Sequence, residues 1–247
     1  MLWKEKQLEV SSQHLWRLYR RHNVRYRFAN WTYSRGLLVN QEQRRQFARQ
    51  LSALVGGGNV VYVDEAAFNM WTRGRRTYAG PLDSIKIPLN VERGASVTVY
   101  GAVGARLQEG KLFMHGRSTN QHEFASFLRR VRGAFVGNAG ETIHVVADNA
   151  AAHKTLSVRQ LCRELQIELV FTPAYSPEFN CVERVWGHLK QKLQQALLLE
   201  GGQLRSQAEF ECLLRRLEDG LPHETALMAA AANNRKYIRQ LLAEEEA

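Results

Sequence analysis

The chain reads as an α/β protein. A three-layer domain with a central sheet follows a short basic helical segment, and further helices close the chain. Three observations predict this. Apolar runs of strand length alternate with amphipathic stretches of helix length. Positive charge is concentrated at one end. Acids stand at the ends of two of the apolar runs and on the helix after a proline-rich turn. The 247 residues suit one large domain with an appendage, and 45% hydrophobic content supplies a sizeable core.

The elements follow in order. Ser11 or Ser12 caps a helix whose apolar face is Leu15, Leu18 and Tyr19, leaving Gln13, His14, Arg17, Arg20 and Arg21 outside. Polar residues at a helix start, with arginines behind them, suit a recognition helix reading bases and gripping phosphates. A solvated basic helix is the plain alternative. The segment is short for a helix-turn-helix, so residues 1–40 are expected to be an incomplete unit with its linker, Arg25 adding another DNA-facing cation. Helix is expected over 41–54, ending at Gly56-Gly57-Gly58.

The body begins with a buried strand, Val60 to Asp64. A polar stretch holding Trp71, Arg73, Arg75 and Arg76 reads as a hairpin, either solvated or gripping phosphate. Strands follow at 96–105 and 111–115. Asn120 caps a helix with Glu123 in the capping-box position and a stripe of Phe124, Phe127, Leu128, Val131 and Phe135. Next come a strand from Thr142 to Asp148, a helix from Thr155 to Leu165 and a strand from Glu168 to Phe171. A helix from about Pro177 to Leu199 has its proline in the first turn. Helices over 206–217 and 224–242 complete a reading of residues 41–205 as the main three-layer domain and 206–247 as helices packed on it.

Charge narrows the function classes. The net charge is +10, and residues 1–55 carry eleven Lys and Arg against three Glu. A basic arm on a nearly neutral body suits nucleic acid. Cys162, Cys181 and Cys212 lack zinc-site spacing and cannot all pair, which suits a reducing cytosol. No apolar run is long enough for a membrane span, and the first residues do not read as a signal peptide. No phosphate loop of the Gly-x-x-x-x-Gly-Lys type occurs, so ATP is not implied. Ser176 lacks the Gly-x-Ser-x-Gly context of a hydrolase nucleophile.

The acids carry the chemistry. Asp64 and Asp148 end strands, and open α/β sheets place their sites at strand carboxyl ends. Glu183 lies on the flank of the Val182, Val185, Trp186, Leu189 and Leu193 stripe, one heptad before Lys190. Clustered carboxylates suit Mg²⁺, a hard cation, and two such ions can clamp an in-line phosphoryl transfer. Glu65 points the other way from Asp64 on an ideal strand and is expected to support the site, a substitute ligand being the alternative. Asn149 and His153 follow Asp148. His153, placed in the first turn of the next helix, could meet phosphate, order the site or cap. Lys190 and Lys192 could meet DNA beside Glu183 or simply be solvated.

These tracts resemble the DDE transposases of the Tc/mariner superfamily, especially the bacterial insertion-sequence type. The matching residues are Val63-Asp64-Glu65, Trp71-Thr72-Arg73-Gly74, Tyr100-Gly101-Ala102-Val103, Asp148-Asn149-Ala150-Ala151-Ala152-His153 and Pro173 through Glu183, then Trp186, Leu189 and Lys190. Thirty-four residues separate Asp148 from Glu183, a spacing typical of that group. Cys181 stands where relatives commonly have proline. The resemblance implies an RNase H-like fold with Asp64, Asp148 and Glu183 as metal-binding catalytic acids, and two Mg²⁺ with Mn²⁺ able to substitute. It implies cleavage at transposon inverted-repeat ends, strand transfer into target DNA, a homodimer, and, in a bacterium, a cytoplasmic place at the nucleoid. A DNA-binding protein without catalysis, or a nuclease of this fold that never joins strands, are the alternative readings.

Overall fold

The structure is a computed structural model that describes residues 11–22, 37–69, 96–138, 140–174, 176–200 and 206–222. The hairpin with Trp71, Arg73, Arg75 and Arg76, the cation Arg25 and the helix expected over 224–242 lie outside the described residues. The chain divides into two compact units, Met1–Leu37 and Leu38–Ala247.

In the first unit, helix α1 spans Ser12–Arg21. Ser11 is its cap, its hydroxyl accepting from the His14 N–H at 3.2 Å. Gln13, His14, Arg17, Arg20 and Arg21 are all exposed. Arg20 lies over the Trp16 ring, 4.9 Å from its centroid.

Helix α2, Leu37–Val55, spans the boundary and starts four residues before the expected helix. Five strands follow: β1 Val60–Phe68, β2 Val97–Val103, β3 Lys111–Gly116, β4 Ile143–Ala147 and β5 Ile167–Phe171. Helix α3 (Gln121–Ala134) precedes β4, and α4 (Leu156–Glu164) joins β4 to β5. Helices α5 (Val182–Glu200) and α6 (Gln207–Asp219) are the last elements among the described residues. The sheet order is β3-β2-β1-β4-β5. The first three strands pair antiparallel, and β1, β4 and β5 pair parallel.

Alternation along β1 divides the core. Tyr62, Ala66 and Phe68 face α2, α5 and α6, packing with Phe47, Leu51, Val185, Leu193 and Phe210. Val61 and Val63 face α3 and α4, packing with Phe124, Phe127, Val131 and Val158. The result is a mixed sheet between two helical layers. The stripe expected on α3 is buried at Phe124, Phe127, Leu128 and Val131, and Asn120 caps it through the N–H groups of His122 and Glu123. Phe135 is the C-cap residue of α3.

Three expectations need correction. β1 does not end at Asp64 but runs on to Phe68, because β2 continues the antiparallel ladder to the Phe68–Val97 pair after the β4 ladder has stopped at Tyr62–Val146. Pro177 does not begin α5. It opens a separate 3-10 turn, Pro177–Phe179, and α5 starts only at Val182. His153 belongs to its own 3-10 turn, Ala151–Lys154, ahead of α4, whose cap is Thr155.

Candidate active site

The β1–β4 register sets two of the acids side by side. Asp64 and Asp148 each lie two residues beyond the last parallel pair, Tyr62–Val146. Asp64 is held within a continuing strand, whereas Asp148 is the first residue after β4. Glu183 comes from the first turn of α5, on its exposed flank as the stripe predicts. All three line one cleft of about 300 Å³, together with Asn149, Thr172, Pro173, Ser176 and Asn180. Three separate elements therefore deliver three carboxylates to one space.

The cleft's electrostatics follow from this crowding. Burial, and then the Glu183 charge, raise the Asp64 carboxyl from 3.8 to about 7, against the opposing hydrogen bond from Trp186. A carboxylate that resists ionising beside another acid favours a bound cation, and hard oxygen donors suit Mg²⁺ or Mn²⁺. The donor set thus fits a divalent metal held by Asp64, Asp148 and Glu183.

A second layer lies beneath. Glu65 points to the opposite face of β1 from Asp64, as alternation requires, and meets His153 there. His153 Nε2 lies 2.9 Å from Glu65 Oε1, and Nδ1 lies 2.9 Å from Asp148 Oδ1. The imidazole is 4% exposed and stacks on Phe124 with centroids 3.8 Å apart. Burial alone would push its pKa down, but hydrogen bonds to Asp148 and Glu65 outweigh it and raise the value from 6.5 to about 10. The same hydrogen bond, with help from the Ala150 N–H, lowers the Asp148 pKa. Both contacts use Asp148 Oδ1.

Glu65, Asp148 and His153 bring ligand atoms within 4.8 Å of one another. Both ring nitrogens of His153 face carboxylates, so the imidazole bridges Glu65 and Asp148. Lys190 is half-buried on α5, and Asn149 is exposed at the cleft.

Other residues at the site were hidden in the sequence. Trp186, assigned to the apolar stripe, donates Nε1–H to Asp64 Oδ2 at 2.9 Å. Asn180 is buried and bonds β1 through the Val63 carbonyl. Arg44 of α2 pairs with Glu178, and Phe47 packs edge-on against Phe179 at 5.0 Å, so α2 braces the proline turn. Cys181 is fully buried ahead of α5, and Cys162, Cys181 and Cys212 are all free.

The model for DDE superfamily endonucleases matches residues 59–205, which contain all three acids. The chain belongs to this family. No curated protein matches the sequence. Among solved structures, this DDE endonuclease is similar to a pre-cleavage Mos1 transpososome, with a TM-score of 0.70 and 15% identity over 98% of this chain and 76% of that one. A Mos1 strand transfer complex gives 0.68 and 15%, over 98% and 75%. The catalytic domain of Mos1 mariner transposase gives 0.60 and 13%, over 87% and 97%. At such identities the likeness speaks for the fold, which is RNase H-like. The expected DDE kinship agrees with the family match, and the expected fold with the likeness to Mos1. Among the described residues, no helix is long and apolar enough to cross a membrane.

Proposed function

We propose that this DDE endonuclease is a transposase that cuts DNA at the ends of a mobile element and joins the freed ends to target DNA. The observation that carries the reading is the convergence of Asp64, Asp148 and Glu183 on one cleft. The similarity to Mos1 complexes before cleavage and after strand transfer supports it. Solved Mos1 paired-end complexes with Mn and with Mg support the choice of metal.

Two bound divalent cations would neutralise charge on the scissile phosphate and activate the attacking oxygen. Asp64, Asp148 and Glu183 would hold them. The protein's own part is orientation. Asp64 sits in a continuous strand, so its carboxylate cannot swing with a loop. The Asp148 carboxylate is fixed from behind by His153. In the first step a water oxygen attacks phosphorus, the bond to the 3′ oxygen breaks, and a 3′-hydroxyl leaves. In the second, that hydroxyl's oxygen attacks a target phosphate and a second 3′ oxygen departs. Neither step needs a nucleophile from the protein, and Ser176 is buried with its hydroxyl donating to the Ala174 carbonyl.

The DNA contacts belong to the same proposal. Gln13, His14, Arg17, Arg20 and Arg21 on α1 would grip the transposon ends, with Arg25, Arg73, Arg75 and Lys190 as further cations. Residues 1–40 would serve as the binding segment, 41–205 as the catalytic domain and 206–247 as helices packed on it. Joining two ends in one event calls for two copies of the chain, a homodimer. The purified protein, given a duplex carrying the element's own terminal repeat, is expected to nick it in Mg²⁺ or Mn²⁺ and to join the 3′ end to a plasmid. Nicking without joined product would indicate a nuclease of this fold, and neither would indicate a DNA-binding protein.

A further inference from the structure

The start of α5 is tied to β1 on both sides of Glu183. Three positions before the acid, buried Asn180 donates its Nδ2–H to the Val63 carbonyl at 2.9 Å and accepts the Val182 N–H at 3.3 Å. Three positions after it, Trp186 donates to Asp64 Oδ2 at 2.9 Å while only 2% exposed. The anchor points on β1 are thus consecutive residues.

The tryptophan contact has a slot built for it. Residue 101 lies opposite Asp64 in the β1–β2 ladder and is glycine. A Cβ there would stand 2.7 Å from Trp186 Cζ2 and would also collide with Cη2. Phe68 and Phe113 flank the ring, with centroids at 5.8 and 5.9 Å. A buried indole N–H needs an acceptor, and here the acceptor is one oxygen of a cleft carboxylate. That bond engages Oδ2, one of the two carboxylate oxygens of an acid that lines the cleft.

We propose that Asn180 and Trp186, with Gly101 making room, are positioning residues: a two-point clamp that sets the spacing of Asp64 and Glu183 and selects the Asp64 oxygen offered to the metal. The proposal rests on the reading of those acids as metal ligands. Groups that orient a ligand commonly matter tenfold to a hundredfold for metal affinity.

The test is Mn²⁺ binding to the metal-free protein, followed by electron paramagnetic resonance, with melting temperature measured in parallel. Trp186→Phe keeps an aromatic ring but removes the N–H, and should raise the Mn²⁺ Kd about tenfold. Gly101→Ala should do the same by displacing the indole. In the double variant the new methyl group occupies space vacated by the larger ring. Its melting temperature should move back toward that of the wild type while the Mn²⁺ Kd stays high. A wild-type Kd in Trp186→Phe, or a Kd that recovers together with the melting temperature in the double variant, overturns the clamp and leaves Trp186 a packing residue. If Trp186→Phe fails to fold, the double variant's Kd decides. Asp64→Asn separates the two levels of the claim. It should lose Mn²⁺ binding, and if it binds as the wild type does, the ligand assignment fails rather than the clamp.

Discussion

Asp148→Ala should lower the rate of nicking in Mg²⁺ by about a thousandfold or more, the scale expected when a preorganised charge-stabilising group is lost. Asp64→Ala and Glu183→Ala should do the same, because the three carboxylates act as one set and each is needed to complete it. Binding to terminal-repeat DNA should persist, since none of the cations proposed for it is changed. Asp148 and Glu183 are the cleaner sites for this test. The Asp148 side chain is 52% exposed and Glu183 is exposed, so neither change opens a cavity in the core. A gel assay of nicked product, with an electrophoretic mobility shift on the same samples, checks both halves of the expectation.

His153→Ala should be the most damaging single change outside that set. It leaves Glu65, 11% exposed, facing Asp148 without the imidazolium between them. Removing one partner from a buried ionic group costs about 3–5 kcal/mol, and the exposure of Asp148 argues for the lower end, about 3 kcal/mol. The pH dependence has a definite sign. The pKa of His153 is raised from 6.5 to about 10 in the folded protein. Its stabilising contribution is complete below pH 6.5 and is lost as pH rises through about 10, because only the folded chain still holds the proton in that window. Urea denaturation should show wild-type stability falling between pH 7 and 10, by up to about 1.4 kcal/mol per pH unit from this group. His153→Ala should lack that component. Parallel slopes in the two proteins would remove the imidazolium from the account.

Asp148 was the most legible part of the site. The apolar run from Ile143 to Ala147 makes a buried strand, and the acid follows it directly. The flank position of Glu183 also followed from helical periodicity. Asp64 is visible as an acid after an apolar run, but its setting inside a longer strand is not, because strand length depends on the partner. β2 holds β1 in extended form for four residues past Asp64, and no local signal in 60–68 reports that. The parallel register that places Asp64 beside Asp148 is likewise a property of two strands together.

The supporting residues were hidden for different reasons. Trp186 fits an apolar stripe so well that its single polar atom carried no separate signal. Gly101 is informative only once its ladder partner is known to be Asp64. Period-two alternation did separate Glu65 from Asp64, but its partner His153 lies 88 positions away. The brace from Arg44 to Glu178 spans 134 positions and joins a helix to a turn with no shared pattern.

The central claim is that Asp148 binds, together with Asp64 and Glu183, the metal that cuts DNA. The most direct test is nicking by Asp148→Cys, compared in Mg²⁺ and in Mn²⁺. A thiolate is a poor ligand for Mg²⁺, a hard ion that demands oxygen, and a better one for Mn²⁺, which stands nearer the softer transition metals. The account predicts almost no cutting by this variant in Mg²⁺ and substantial recovery in Mn²⁺, so that its Mn²⁺-to-Mg²⁺ rate ratio rises far above that of the wild type. An Asp148→Cys protein that cuts in Mg²⁺ at the wild-type rate would contradict it.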